Sequence, residues 1–160
     1  MTQQTAVTLN VNGEAISALI EPRLSLADFL RTKAGLTGTH VGCEHGVCGA
    51  CTVRIDGATA RGCLILAIQC QGADIETIEG VADSGSISDL QENFVERNAL
   101  QCGFCTPGML LTADELLKEN PDPTRDEIRE NLSGNYCRCT GYQSIVDAVE
   151  ITAKQRREGA

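Results

Sequence analysis

Three thiols within nine residues constrain this chain more than any other stretch does. They lie in Gly42-Cys43-Glu44-His45-Gly46-Val47-Cys48-Gly49-Ala50-Cys51, and Cys63 follows after a short hairpin signal, giving C-x4-C-x2-C-x11-C. Glycines and an alanine separate the cysteines, so the backbone can turn sharply and approach a bulky group with little side chain in the way. A second set stands in the other half of the chain. Gln101-Cys102-Gly103-Phe104-Cys105-Thr106-Pro107-Gly108 and Asn135-Tyr136-Cys137-Arg138-Cys139-Thr140-Gly141-Tyr142 together read C-x2-C-x31-C-x-C.

Nine cysteines could also staple a secreted chain with disulfides. Met1 to Asn10 carry neither a basic n-region nor an apolar h-region, no twin-Arg pair precedes the first strand, and no apolar run approaches membrane-spanning length. The thiols are therefore read as ligands in a cytoplasmic chain. The first set has the plant-type spacing for a [2Fe–2S] cluster, with Cys43, Cys48, Cys51 and Cys63 as the four thiolates. Zinc knuckles pair C-x2-C, and the gap from Cys43 to Cys48 is not a knuckle. His40 and His45 are then loop-structuring or solvent-facing residues rather than ligands. For Cys102, Cys105, Cys137 and Cys139 the spacing alone leaves zinc and iron–sulfur both open. Each of these pairs precedes a predicted helix, whose free N–H groups and positive dipole end stabilise a thiolate or an anionic cluster.

The 160 residues suit one ordinary domain or two small ones, and the 3% aromatic content leaves each small core modest. Bound metal can supply the missing folding free energy. A net charge of −9 without a basic stripe argues against nucleic acid as a partner.

Hydrophobic patterning divides the chain into α+β. Val7, Leu9 and Val11 alternate as a strand, Asn12-Gly13 signals a tight hairpin, and Ala15 to Ile20 forms the return strand. Ser25 caps a predicted helix from Leu26 to Lys33, with Asp28 at its third position. Cys51 to Ile55, the turn Asp56-Gly57, a short return strand and a last strand Ile75 to Ile78 complete the first unit. The Gly/Ser/Asp-rich stretch from Gly80 to Ser86 reads as a boundary. Helical spacing follows in Ile87, Leu90, Phe94 and Val95, then from Thr106 as N-cap with Pro107 at N1. Thr124 to Glu127 is a capping box for a helix to Leu132, and a last helix from about Gly141 carries Ile145, Val149, Thr152 and Ala153. The tail after Lys154 is expected to fray.

The three motifs, Gly42 to Val53, Gln101 to Met109 and Gly134 to Tyr142, resemble the small iron–sulfur subunit of the xanthine oxidase family of molybdenum hydroxylases, in its bacterial three-subunit form. The resemblance runs from about Val7 to Ala153 and covers all eight ligand positions. It implies a β-grasp plant-type ferredoxin domain over residues 5–80 and an all-α four-helix bundle over 86–155 that holds a second [2Fe–2S] cluster on Cys102, Cys105, Cys137 and Cys139. It also implies that Gln101 and Cys139 touch a molybdopterin cofactor on a large partner subunit, and that FAD sits on a medium partner subunit. Electrons would pass from molybdenum through both clusters to FAD, in a heterotrimer to which this chain contributes no catalytic residue. The substrate implied is an N-heteroaromatic compound, with carbon monoxide, aldehydes and aryl acyl-CoA as alternatives. The rival readings are a free-standing two-cluster ferredoxin and a zinc-stabilised interaction module. Cys70 matches no ligand position and reads as a half-buried small hydrophobe. Arg138, between two ligands, reads equally as an electrostatic tuner or a surface residue, and Tyr136 and Tyr142 as packing groups.

Overall fold

The computed structural model describes residues 4–159. Among the described residues it is a mixed fold with one five-stranded sheet and six α-helices.

Strand β1 (Thr5–Val11) pairs antiparallel with β2 (Glu14–Ile20). Asn12 and Gly13 make the turn at φ 52° and 82°, the left-handed pair that a type I′ hairpin requires. Asp56 and Gly57 repeat the device between β3 (Thr52–Ile55) and β4 (Ala58–Arg61). β5 (Asp74–Glu76) enters the middle of the sheet, parallel to β1 and antiparallel to β3, giving the order β2-β1-β5-β3-β4. The inward faces present Val7, Leu9, Val11, Ile20, Val53 and Ile75. Against them lies α1 (Leu26–Thr32), which buries Leu26, Phe29 and Leu30 completely. Each such side chain contributes about 1.5–3 kcal/mol over an exposed one. Ser25 caps α1 by accepting from the Asp28 N–H at 3.0 Å, as its position in the sequence predicts. Cys70, in a 3-10 turn over Ala67–Cys70, is part of this core and fully buried rather than half-buried. Burial first, then the Asp56 carboxylate, pushes its thiol pKa up, so it stays neutral and unreactive.

The remaining helices surround a second core. They are α2 (Ile78–Asp83), α3 (Ser88–Glu96), α4 (Thr106–Glu119), α5 (Arg125–Leu132) and α6 (Gln143–Glu158). Phe94, Met109, Leu111, Ile128, Ile145 and Val149 meet at its centre. The Thr124–Glu127 capping box forms as read, with both reciprocal bonds present.

Four local expectations are corrected. The stretch from Ile78 into the Gly80–Ser86 segment is not strand followed by linker, because α2 occupies Ile78–Asp83. Gly80 is there for space: a Cβ would collide with the Asn12 side chain, while Val81 buries itself in the helical core. The N-cap of α4 is Cys105, one residue before Thr106, and the Thr106 hydroxyl is buried with no partner among the described residues. Val95 is exposed, and α3 turns Leu90, Asn93 and Phe94 inward instead. The tail is helical to Glu158. Arg156 donates to Asp89 at 2.7 and 2.9 Å and to Asp114 at 3.1 Å, and Arg157 pairs with Asp122 at 2.6 Å. Cations in the last turn also complement the helix dipole.

The two halves are pinned together by buried polar groups. Arg54 on β3 reaches into the helices, donates to Asp114 at 2.6 Å, and both side chains are almost wholly buried. Thr59 on β4 donates its N–H to Glu115 at 2.6 Å. Thr77, the single residue between β5 and α2, is fully buried. Its N–H donates to Asn12 Oδ1 at 2.9 Å, its hydroxyl accepts from Asn12 Nδ2 at 3.0 Å, and Glu79 beyond it accepts from the Gly38 N–H at 2.7 Å.

Candidate metal centres

The loop from Gly42 to Cys51 follows α1 and leads into β3, with Glu44, Gly46 and Gly49 in left-handed backbone. This winding turns N–H groups inward. The Cys48 N–H donates to the Cys43 sulfur at 3.4 Å, and together with the His45 N–H it lowers the Cys43 pKa to about 6. Cys51 is buried and raised to about 11, by burial first, with the neighbouring Cys63 thiol adding to it. Cys63 sits on the far side of the β3–β4 hairpin, as expected, and Gly62 donates its N–H to the Cys51 carbonyl at 3.1 Å. Cys43 neighbours Cys48, and Cys51 neighbours both Cys63 and Cys48. Both histidines are structural, as read. His45 Nδ1 bonds the Cys43 carbonyl, and His40 Nδ1 donates to the Phe104 carbonyl at 2.8 Å while its ring stacks on Phe104 at 4.6 Å.

The second set forms where two helices start. Cys105 caps α4, and Cys137 and Cys139 precede α6, whose N-cap Tyr142 takes φ 70°. The sulfurs of Cys102 and Cys139 lie 3.5 Å apart, and Cys105 associates with Cys137. Burial pushes Cys105 up to about 12. At Cys137 burial acts upward too, but the Thr140 hydroxyl at 3.1 Å and its N–H at 3.4 Å outweigh it and hold the pKa below the ordinary thiol value. The Tyr142 hydroxyl accepts from the Cys137 N–H at 2.8 Å and donates to the Asn135 carbonyl at 3.2 Å, so Tyr142 is more than a packing group. Cys102, Cys139, Gln101, Arg138 and Tyr136 are exposed.

Two thiolates on one tetrahedral metal at about 2.3 Å stand roughly 3.8 Å apart. The Cys102 and Cys139 sulfurs, 3.5 Å apart, are close to that separation. All nine cysteines are free. The donor set, the paired spacing and the inward N–H groups fit two-iron clusters, whose sulfurs accept such bonds.

The sequence motifs contain Asn135 and Gly49, but not what they do. Gly49 has φ +73°, and a Cβ there would stand 2.5 Å from the Gly134 carbonyl oxygen. Gly108 on α4 faces the Gly49 carbonyl, and a Cβ there would overlap its oxygen and approach Asn135 Nδ2 at 3.0 Å. Gly→Ala inside a helix ordinarily stabilises by about 1 kcal/mol. Gly108→Ala is expected to reverse that sign and cost about 1–3 kcal/mol through overpacking. Thermal unfolding of the cluster-loaded chain reads it; an unchanged or raised midpoint would refute the close packing.

Comparison with known proteins agrees with the geometry. Residues 9–74 match the family described as a 2Fe-2S iron-sulfur cluster binding domain, and residues 77–150 the family described as a [2Fe-2S] binding domain. The chain is 54% identical over 147 residues to the caffeine dehydrogenase subunit gamma of Pseudomonas sp. (strain CBB1), covering 90% of this chain and 88% of that one. It is 54% identical over 143 residues to the nicotine 6-hydroxylase small subunit of Paenarthrobacter nicotinovorans, covering 89% and 86%. The crystal structure of quinoline 2-oxidoreductase from Pseudomonas putida 86 superposes with a TM-score of 0.90 at 52% identity, covering 98% of each chain. With two [2Fe–2S]-binding segments in this order and these relatives, the chain belongs to the small iron–sulfur subunits of the xanthine oxidase family of molybdenum hydroxylases.

Proposed function

We propose that this chain carries electrons between a molybdenum site and a flavin, each on its own partner subunit. A [2Fe–2S] cluster supplies one-electron redox chemistry when bound. Cys43, Cys48, Cys51 and Cys63 hold one cluster, and Cys102, Cys105, Cys137 and Cys139 the other. The chain's own residues set the electrostatics at the Cys43 sulfur through the Cys48 N–H, and at the Cys137 sulfur through the Thr140 N–H and hydroxyl.

One observation carries the direction. Cys102 and Cys139 are exposed beside exposed Gln101, Phe104 and Tyr136, whereas Cys51 of the first set is buried and its other thiols are half-buried. An apolar and thiol-rich open face is suited to cover by a partner. The large subunit packs there, with Gln101 and Cys139 against the molybdopterin, and the medium subunit brings FAD toward the first set. Two separate cores support the division into a β-grasp domain over 5–80 and a four-helix domain over 86–155, joined by α2. Caffeine, nicotine and quinoline in the relatives' names support an N-heteroaromatic substrate, selected in the large subunit. The free thiols suit the reducing cytoplasm.

Native purification tests the reading. The chain is expected to elute with a molybdenum-bearing and a flavin-bearing partner, at about four irons and four acid-labile sulfides per copy. A lone 17.0 kDa iron protein would favour a free ferredoxin instead.

A further inference from the structure

Two consecutive carbonyls of the first thiol loop are held by two consecutive residues of the second. The Tyr136 N–H donates to the Cys48 carbonyl at 2.8 Å. Asn135 Nδ2 donates to the Gly49 carbonyl at 3.3 Å. Cys48 and Cys137 each belong to a thiol set, and Tyr136 adjoins Cys137. A single hydrogen bond therefore interrupts an otherwise covalent path from the Cys48 sulfur to the Cys137 sulfur. Electron tunnelling falls steeply with each added ångström of gap, so whatever fixes that bond fixes the coupling between the clusters.

Asn135 is placed to fix it. Its side chain is buried and every polar atom is used. Oδ1 accepts from Thr112 on α4 at 3.2 Å and from Arg61 on β4 at 3.3 Å, while Nδ2 faces the Gly49 carbonyl. The partners also settle which amide atom is oxygen. Arg61 donates again to the Gly134 carbonyl at 2.8 Å and to the Thr52 hydroxyl at 2.5 Å. Gly49 and Gly108 leave no room for the loop to shift toward Asn135. Sheet, first loop, α4 and second loop thus converge on one amide.

We propose that Asn135 is a positioning residue that sets the electronic contact between the two clusters, by holding the Cys48 carbonyl on the Tyr136 N–H. The inference rests on both clusters being carried in this chain and on electrons passing between them. It assigns a role to a residue that ligates nothing.

Asn135→Asp is the sharpest probe. The isostere still accepts from Thr112 and Arg61 but sets an oxygen against the Gly49 carbonyl, pushing the loops apart. In the assembled complex, both clusters should load at full iron content. The spin–spin splitting seen when both are reduced should narrow. Substrate should reduce the second cluster at its normal rate and the first several-fold more slowly. Full iron content with unchanged splitting and unchanged transfer would overturn the proposal, since a purely structural role would lower only thermal stability. If Asn135→Asp fails to load iron, Thr112→Val decides: it removes one donor from Asn135 Oδ1, and unchanged splitting together with unchanged transfer there overturns the proposal equally. Failure of the electron-route reading would show separately, as no substrate-driven reduction in the unsubstituted complex, because the splitting reports cluster separation alone.

Discussion

Cys139→Ser is expected to give a complex with about two irons per small subunit instead of about four. The serine hydroxyl does not ionise near neutral pH, so it offers no thiolate, and Cys102 loses the sulfur 3.5 Å away with which it is paired. Cys139 is exposed and packs nothing, so the fold should survive the change. The first cluster should remain, because its four thiols lie on the loop after α1 and on the β3–β4 hairpin. Substrate should then no longer reduce the first cluster, while a small chemical reductant still should. Iron analysis with spectra before and after each reductant distinguishes these outcomes. Retention of about four irons would remove Cys139 from the ligand set. Cys70→Ala is the matching control and should keep all the iron, since Cys70 lies in the sheet core away from both sets.

Asp114→Ala should produce the largest loss of stability outside the thiols. Asp114 accepts from Arg54 at 2.6 Å, Lys118 at 2.9 Å and Arg156 at 3.1 Å. Lys118 and Arg156 reach solvent, but Arg54 is buried and would keep only the half-exposed Glu76 carboxylate, at 3.6 Å, as a counter-charge. Removing one partner of such a pair costs about 3–5 kcal/mol. For a chain of this size that is a fall of about 10 °C in the unfolding midpoint of the cluster-loaded protein. A shift under about 2 °C would show that Glu76 or water takes over the Arg54 charge. Replacing Arg54 and Asp114 together by Met and Leu should recover much of the loss, because neither charge is then buried alone. Burial pushes the Asp114 pKa up, but Lys118 and Arg54 together hold it below the ordinary value of 3.8. Its contribution is therefore complete above the ordinary carboxyl range and disappears as pH falls through the lowered pKa.

The parts legible in the sequence are those where chemistry is local. Asn12-Gly13 and Asp56-Gly57 specify their turns within two residues, and Ser25 with Asp28 and Thr124 with Glu127 specify helix starts within four. The thiol sets were legible for the same reason, since the spacing within each loop is local. What could not be read depends on partners far along the chain. Arg54 looks like an outward strand residue and Asp114 like a helix surface charge until the fold places them together across 60 positions. Gly80 reads as a linker glycine because the Asn12 side chain that demands it is not adjacent in sequence. The last turns of α6 look frayed until Asp89 and Asp122 meet Arg156 and Arg157. Asn135 stands inside a motif whose cysteines draw all the attention, and its three partners come from β4, α4 and the first loop.

The single buried residue between β5 and α2 has a consequence for how such a wire can be switched. Many redox carriers regulate flow by swinging a cofactor-bearing module on a slack tether. Thr77 gives no slack, because both its hydrogen-bonding groups are tied to Asn12 in the first hairpin and Glu79 beyond it is tied to Gly38. The spacing between the two redox stations is thereby frozen at the moment of folding. Traffic along this subunit has to be throttled at its ends, where neighbouring proteins dock, or by the relative energies of the stations, and not by motion in between.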